Sequence, residues 1–296
     1  MAISPELRAK TMGPILLITD LSPRCDRAMD RAVKLAHEHG VALIALHVMD
    51  TPWLTKLAQP AWRTLQAEHM ALARDRLKKD LSHSDRNVDV MVEVGNPLEV
   101  IDRVAKEQNC SLIVSGTARD ETLGRMVLGT TVERLARQSE TPLLIVRARA
   151  FNSYRHALVA TDFSAGSRVA LQAALKVCPN ADLTLYHAFD QVAGIYDLDQ
   201  PTIEEETAAH QKQAQHFAQR LTELAEEPLP AIVIEHGAPD KTLPAYVTAH
   251  DVELVVLGTH GVTGIVRTAM GSVAEKLLST LPCDVLIVRQ AHRLDD

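Results

Sequence analysis

The residues best suited to chemistry lie near the C-terminal end of the chain, where Gly258-Thr259-His260-Gly261 is followed, after nine intervening residues, by Gly271-Ser272. The run Glu253-Leu-Val-Val-Leu257 before them has the continuous apolar character of a buried parallel strand, and Val273 to Leu281 after them has helical periodicity. A glycine-relaxed loop between a strand and a helix suits an anion, and phosphate above all. Glycine lets backbone approach the ligand closely, and a helix start offers unpaired N–H groups at the positive end of its dipole. Three glycines and a hydroxyl at these offsets arise by chance at roughly one start position in twenty thousand given ordinary glycine usage, so the pattern carries weight without being decisive. Capping competes with it: Ser272-Val-Ala-Glu275 and Thr130-Thr-Val-Glu133 both fit the box in which a hydroxyl and a carboxylate satisfy the helix's own N–H groups. Capping does not account for Gly258 and Gly261.

The same constellation occurs a second time in altered form. Gly116-Thr117-Ala118-Arg119, then Gly129-Thr130, preserves the spacing but carries arginine in place of the second glycine. A constant offset of 142 relates Gly116 to Gly258, Gly129 to Gly271, Glu133 to Glu275, Arg147 to Arg289, Gly95 to Gly237 and Asp20 to Asp162. His47 and His187 differ by 140, which places a small gap between the second and third strands. A period this long marks a duplicated domain and not a solenoid array. The expected division is 1–150 and 151–296, each long enough to bury a core.

Each repeat reads β-α-β-α-β-α-β-α-β. In the first, Ile15 to Thr19 forms a strand, Ser22-Pro23 opens a helix that Gly40 closes, Val41 to Val48 is a strand, and a long helix spans about Thr55 to Leu81. Val88 to Val94, a helix announced by Asn96-Pro97, the glycine strand and Pro142 to Val146 complete it. The second repeat follows with strands at Ala157 to Thr161, Asp182 to His187, Ile232 to Glu235, Glu253 to Leu257 and Asp284 to Val288. Its long helix shows Ile203, Phe217, Leu221 and Leu224 at helical spacing, and Trp53 and Trp62 are expected to anchor the first. The predicted fold class is α/β: two open parallel five-stranded sheets, order 3-2-1-4-5, with helices on both faces. In that order the first and fourth strands are neighbours, so Asp162 and Gly258 meet at the crevice where strand order reverses.

Composition excludes several classes. A formal net charge of −7 without a basic face argues against nucleic acid as a partner. No stretch of 18 apolar residues and no basic-apolar leader is present, so no membrane span is expected and the predicted location is cytoplasmic. Cys25, Cys110, Cys178 and Cys283 are scattered, without metal or disulfide spacing. His37, His39, His210 and His216 lack a third ligand, and no metal site is assigned. P-loop, G-x-G-x-x-G and G-x-S-x-G signatures are absent, and no nucleophile–base pair is apparent. A fast ATPase is therefore not supported. His47 and His187, late in apolar strands, read as satisfied core histidines.

Asp162 after a short strand, His187 late in the second, Gly258-x-x-Gly261-x9-Gly271-Ser272 and the closing Asp284-Val-Leu-Ile-Val-Arg289 together resemble the universal stress proteins, in the tandem form with two such domains. The resemblance runs from about Pro14 to Arg289. It implies an adenine-nucleotide alpha-hydrolase-like fold and ATP as ligand, with Mg2+ alongside. By that likeness Asp162 lies by ribose and adenine, the backbone at Ala188 faces adenine, and Gly258, His260 and Gly261 line the phosphates. Gly271, Ser272 and the N–H of Val273 take the outer phosphates. The first repeat keeps Asp20, Val48, Gly116, Gly129 and Thr130 but has Arg119 where the family has glycine. The guanidinium either fills the site or contacts a differently placed anion; loss or strong weakening is the expectation.

The implied function is an ATP-binding stress or signalling module, with nucleotide held mainly by the second repeat. A slow ATPase or phosphotransferase is one alternative, and a non-nucleotide scaffold or small-ligand carrier is another. The last strands, Leu143 to Val146 and Val285 to Val288, carry apolar residues without protective charge. They are expected to join the repeats as a pseudo-dimer, linked by the polar segment Ala148 to His156, and a homodimer through another face is compatible with the pattern.

Overall fold

The computed structural model describes residues 12–50, 60–84, 88–119, 126–127, 129–190, 202–222, 230–259 and 270–289. The chain forms two compact units, Met12–Ser153 and a second beginning at Tyr154.

In the first unit, strands β1 (Ile15–Thr19), β2 (Leu43–Met49), β3 (Val88–Val94), β4 (Leu112–Gly116) and β7 (Leu143–Val146) form a parallel sheet in the order β3-β2-β1-β4-β7. Every residue of β1 and β7 is buried, as expected of strands covered on both faces. Helix α1 (Asp26–His39) sinks Ala28, Ala32, Leu35 and Ala36 into the sheet, and Gly40 ends it at φ 68°, a left-handed position natural to glycine. The predicted start shifts. Ser22 and Pro23 open a short 3-10 turn, Pro23–Cys25, ahead of α1, and the Ser22 hydroxyl caps nothing. Helix α2 (Pro60–Asp80) fully buries Leu77, and its predicted start at about Thr55 lies outside the described residues. Trp53 and the side chain of Trp62 lie outside the described residues. Helix α3 (Pro97–Glu107) is capped by Asn96, whose Oδ1 accepts from the N–H groups of Leu98 and Glu99 at 3.0 and 3.4 Å.

One element was absent from the sequence reading. The altered glycine loop folds into a two-residue antiparallel ladder, β5 (Ala118–Arg119) with β6 (Met126–Val127), before helix α4 (Thr130–Gln138). The chain leaving β7 is held along α1: Arg27 Nη1 donates to Arg147 O at 2.6 Å, Arg31 Nη1 to Asn152 O at 2.9 Å, and Ser153 Oγ to Glu38 Oε1 at 2.6 Å.

In the second unit, β8 (His156–Ala160), β9 (Asp182–Phe189), β10 (Ala231–His236), β11 (Leu254–Gly258) and β12 (Asp284–Val288) are parallel in the order β10-β9-β8-β11-β12. Helices α5 (Ala165–Val177), α6 (Ile203–Thr222), α7 (Pro239–Ala249) and α8 (Ser272–Thr280) cover it. The α/β class and the 3-2-1-4-5 order therefore hold in each unit. Tyr154 plugs the base of the second: its hydroxyl donates to Asp284 Oδ2 at 2.6 Å, and Asp284 is wholly buried. Helix α6 departs from expectation at Ile203, which is exposed; Ala214 is wholly buried and Phe217 packs on Phe163 instead. Leu224 lies outside the described residues.

Candidate functional site

The ends of β1 and β8 are built alike. Thr19-Asp20-Leu21-Ser22 and Thr161-Asp162-Phe163-Ser164 each turn through one left-handed residue, Leu21 and Phe163, both at φ 63°. Side chains brace the turn: Thr19 Oγ1 accepts from Leu21 N at 3.0 Å and Asp20 Oδ1 from Ser22 N at 2.8 Å, while Thr161 Oγ1 accepts from Phe163 N at 2.9 Å and Asp162 Oδ1 from Ser164 N at 3.0 Å. Two consecutive hydroxyl and carboxylate turns offset the cost of a left-handed non-glycine residue. Neither aspartate caps a helix. Asp162 Oδ1 also accepts from Ser167 Oγ at 2.7 Å, and Asp20 Oδ1 from Cys25 Sγ at 3.2 Å. Burial works against the Asp20 charge, but the Ser22 hydrogen bonds prevail and hold its carboxyl below the usual range.

His47 and His187 reach the same turns from β2 and β9. Their Nδ1 atoms lie 2.9 Å from Thr19 O and 2.7 Å from Thr161 O, so Nδ1 carries the donated hydrogen. His187 is thus partnered as expected, yet it also lines the cavity described next. Burial pushes its pKa down.

At the crevice between β8 and β11 lies a cavity of about 330 Å3. Asp162, Ala188, Gly258, Gly271, Ser272 and Val273 all line it, together with Thr161, Ser167, Tyr186, His187 and Thr259. Residues 260–269, including His260 and Gly261, lie outside the described residues. Thr259 sits at the hinge of the site and is 2% exposed. Its N–H donates to Val288 O at 3.1 Å and its carbonyl accepts from Gly271 N at 3.1 Å, so strand end and helix start are tied together. Those two amides are spent internally, which leaves the N–H groups that follow, from Ser272 onward, to face the cavity.

The capping-box reading fails at both helix starts. The N-caps are Gly271 and Gly129, with Ser272 and Thr130 already in the first helical position, so the N-cap residue of α8 and of α4 has no side chain with which to cap. Asn96 and Ser164 do cap α3 and α5, whereas α1 and α7, with Cys25 and Ala238 as N-caps, share the lack of a side-chain cap with α4 and α8. Backbone conformation does not demand glycine there: φ and ψ are −58° and 143° at Gly271, −66° and 151° at Gly129. Nor does packing. A Cβ on Gly129 would meet nothing within 4 Å, and one on Gly271 would meet only Thr259 O at 3.7 Å. These glycines keep open a space that no described residue fills. Gly116 differs, because a Cβ there would come within 2.9 Å of Arg24 O; its glycine is required by the close passage of the 3-10 turn.

The first unit has a corresponding cavity of about 270 Å3, lined by Asp20, Val48, Gly116, Gly129 and Thr130. Arg24 and Cys25 line it where the second unit has Gly166 and Ser167. Arg119 belongs to the β5 ladder, its backbone paired with Met126, and its side chain lies outside the described residues. Among the described residues, no three or more His, Cys, Asp or Glu side chains gather as for a metal ion. The four cysteines are buried and unbridged. No described helix is long and apolar enough to cross a membrane.

The model of the universal stress protein family matches the chain twice, over residues 12–147 and 153–289. The chain belongs to that family. A universal stress protein of Mycolicibacterium smegmatis is 25% identical over 297 residues, covering 96% of this chain and 99% of its own. One from Mycobacterium tuberculosis is 23% identical over 281 residues, covering 90% and 92%. Among solved structures, a universal stress protein from Archaeoglobus fulgidus superposes with a TM-score of 0.73 at 19% identity, over 94% of this chain and 98% of its own. At that identity the likeness speaks for the fold. Both family-model matches span a whole unit, so this universal stress protein is of the tandem kind.

Proposed function

We propose that this universal stress protein binds an adenine nucleotide, ATP in the first place, in the second-unit cavity, and acts as a stress-response or signalling module through that occupancy. The observation that supports the reading is the glycine N-cap of α8 at Gly271, on the cavity wall, where neither backbone geometry nor packing among the described residues calls for glycine. An anion there would accept from the N–H groups at Ser272 and Val273 at the positive end of the helix. Asp162 at the far side of the cavity is suited to sugar hydroxyls, and the strand backbone at Ala188 to a base edge. Gly258, His260 and Gly261 complete the phosphate side of this proposal, with Mg2+ accompanying the phosphates.

The first-unit cavity, with Asp20, Val48, Gly116, Gly129 and Thr130 on its walls, is proposed to bind nucleotide weakly or not at all. Arg24 on its wall and Arg119 in the neighbouring ladder alter the charge and path of the loop. The protein is proposed to work in the cytoplasm, with ATP hydrolysis slow at most.

Isothermal titration of the full chain with ATP tests the reading. One dominant site is expected, and ligand at a hundred times its Kd should add about 2.7 kcal/mol to the unfolding free energy of the second unit. Absence of heat and of any thermal shift at millimolar ATP would overturn it. Two equal tight sites would overturn the ranking of the units.

A further inference from the structure

The chain holds only four phenylalanines, and three of them gather in the second unit around paired histidines. Phe163 stacks on His187 with ring centres 4.6 Å apart and on Phe217 at 5.8 Å; His187 faces His210 at 4.7 Å; Phe189 meets His210 at 4.6 Å and His236 at 5.4 Å. His210, Ala214 and Phe217 sit on one face of α6, at the i, i+4, i+7 spacing that lays a helix on a sheet. Strand register puts Ile234 beside His187 and His236 beside Phe189. The seat of α6 is therefore made largely of rings, and three of those rings are imidazoles, of which His187 and His210 face each other.

His187 Nδ1–H is committed to Thr161 O, which leaves Nε2 as a lone pair. That nitrogen is buried and has no hydrogen-bond partner among the described residues, and neither has His210 Nδ1. The rings are inclined at 42° and make no hydrogen bond to each other among those residues. A proton added to either nitrogen creates a buried cation with an unmet donor, against a second imidazole. Among the described residues, the other titratable groups on the elements that meet at the pair are Asp162 on the turn after β8, exposed Asp190 after β9, exposed His236 on β10 and half-buried Glu206 one turn before His210 on α6. The Asp162 charge favours protonation of His187, but burial outweighs it and His210 opposes it, so the imidazole is held below its ordinary value. The first unit lacks the device: Leu21 and Met49 stand where the second has Phe163 and Phe189, and among the described residues no imidazole stacks on His47.

We propose that the His187–His210 stack is a proton-sensitive latch: neutral, it seats α6 on the sheet and fixes, through Thr161, the turn that carries Asp162; protonated, it releases the helix. The sign follows from linkage. A histidine whose pKa is depressed in the seated state binds protons more readily when released, so seating is complete above the ordinary value near 6.5 and is lost as pH falls through the depressed one. Each unit of depression changes the seating equilibrium about tenfold. The inference deepens the proposed nucleotide reading, since the turn forms one wall of that cavity, but its readout needs no nucleotide.

Hydrogen exchange of the full chain at pH 7.5 and 5.5, normalised for intrinsic rates, tests it. Peptides from α6 should lose protection about tenfold on acidification while those from α2 do not. The double variant His187→Phe/His210→Phe keeps rings in the seat and removes both titrating groups, and should reduce the α6 difference below twofold; His236→Phe should leave it intact. Equal α6 protection at both pH values, or an undiminished difference in the double variant, would overturn the latch. Should the double variant fold poorly, the NMR titration of His187 in the unaltered chain decides: a midpoint below 6.5 is expected, and one at or above it refutes the proposal.

Discussion

Gly271→Asp should stabilise the second unit and abolish its nucleotide binding. The backbone at Gly271 is extended, as an N-cap must be, and the added Cβ meets only Thr259 O at an ordinary 3.7 Å. An aspartate there can therefore accept from the N–H groups at the start of α8 without disturbing its neighbours. Capping gains a few tenths of a kcal/mol over glycine, and a carboxylate at the dipole's positive end adds about 0.3–1 kcal/mol. Together these raise the melting temperature by about 2–4 °C for a domain of this size. The same carboxylate opposes a phosphate. At an effective dielectric of about 20, two unit charges roughly 5 Å apart repel by about 3 kcal/mol, more than a hundredfold in affinity before the lost N–H contacts are counted. Thermal unfolding without ligand and calorimetric titration with ATP report the two effects separately. A lower melting temperature would show that the helix start was already satisfied; unchanged ATP affinity would show that the ligand's anionic end lies elsewhere.

Three further outcomes follow from the geometry. Gly237→Ala should cost about 1–3 kcal/mol in urea unfolding, because Gly237 has φ 133° and its Cβ would fall 2.7 Å from Thr242 Cγ2, whereas Gly129→Ala, with open space at its Cβ, should cost much less. Tyr154→Phe removes a donor from the buried Asp284 carboxylate and should destabilise the second unit by about 1–3 kcal/mol, read by differential scanning calorimetry as a shift confined to one transition. Asp20, with its carboxyl held below the ordinary 3.8, contributes stability that is present above that pH and lost as pH falls through the lowered value; the gap between the protein and Asp20→Asn in acid unfolding should be constant near neutrality and close below about pH 3.8.

Strand positions, sheet order and the duplication were legible because buried parallel strands are continuous apolar runs and the spacing of 142 carried the same punctuation twice. The cavity wall was legible in part. Asp162, Ala188, Gly258, Gly271, Ser272 and Val273 surround one cavity, but the reasons assigned to individual residues shifted. Ser272 and Thr130 matched a capping box whose register is one residue off, since sequence spacing alone cannot tell N-cap from first helical position. Gly116 turned out to answer to the backbone of Arg24, a contact 92 residues away in sequence. The Thr-Asp-x-Ser turn was visible as a repeated string, and its second member was noticed only for its carboxylate; the threonine hydroxyl that fixes the left-handed residue went unread. His187 was read as a satisfied core histidine; its Nδ1 is partnered, but its Nε2 has no partner among the described residues, and its place in an aromatic seat went unread because His210 reaches it from another element.

The helix start whose N-cap is a bare glycine also bears on how long the protein survives. Proteases cut chains that have opened, and where opening is rapid their rate follows the fraction open. An anion that closes the last unmet bonds of α8 lowers that fraction in proportion to its own abundance, about a hundredfold when present at a hundred times its Kd. The lifetime of the second unit would then serve as a running record of the ligand's supply.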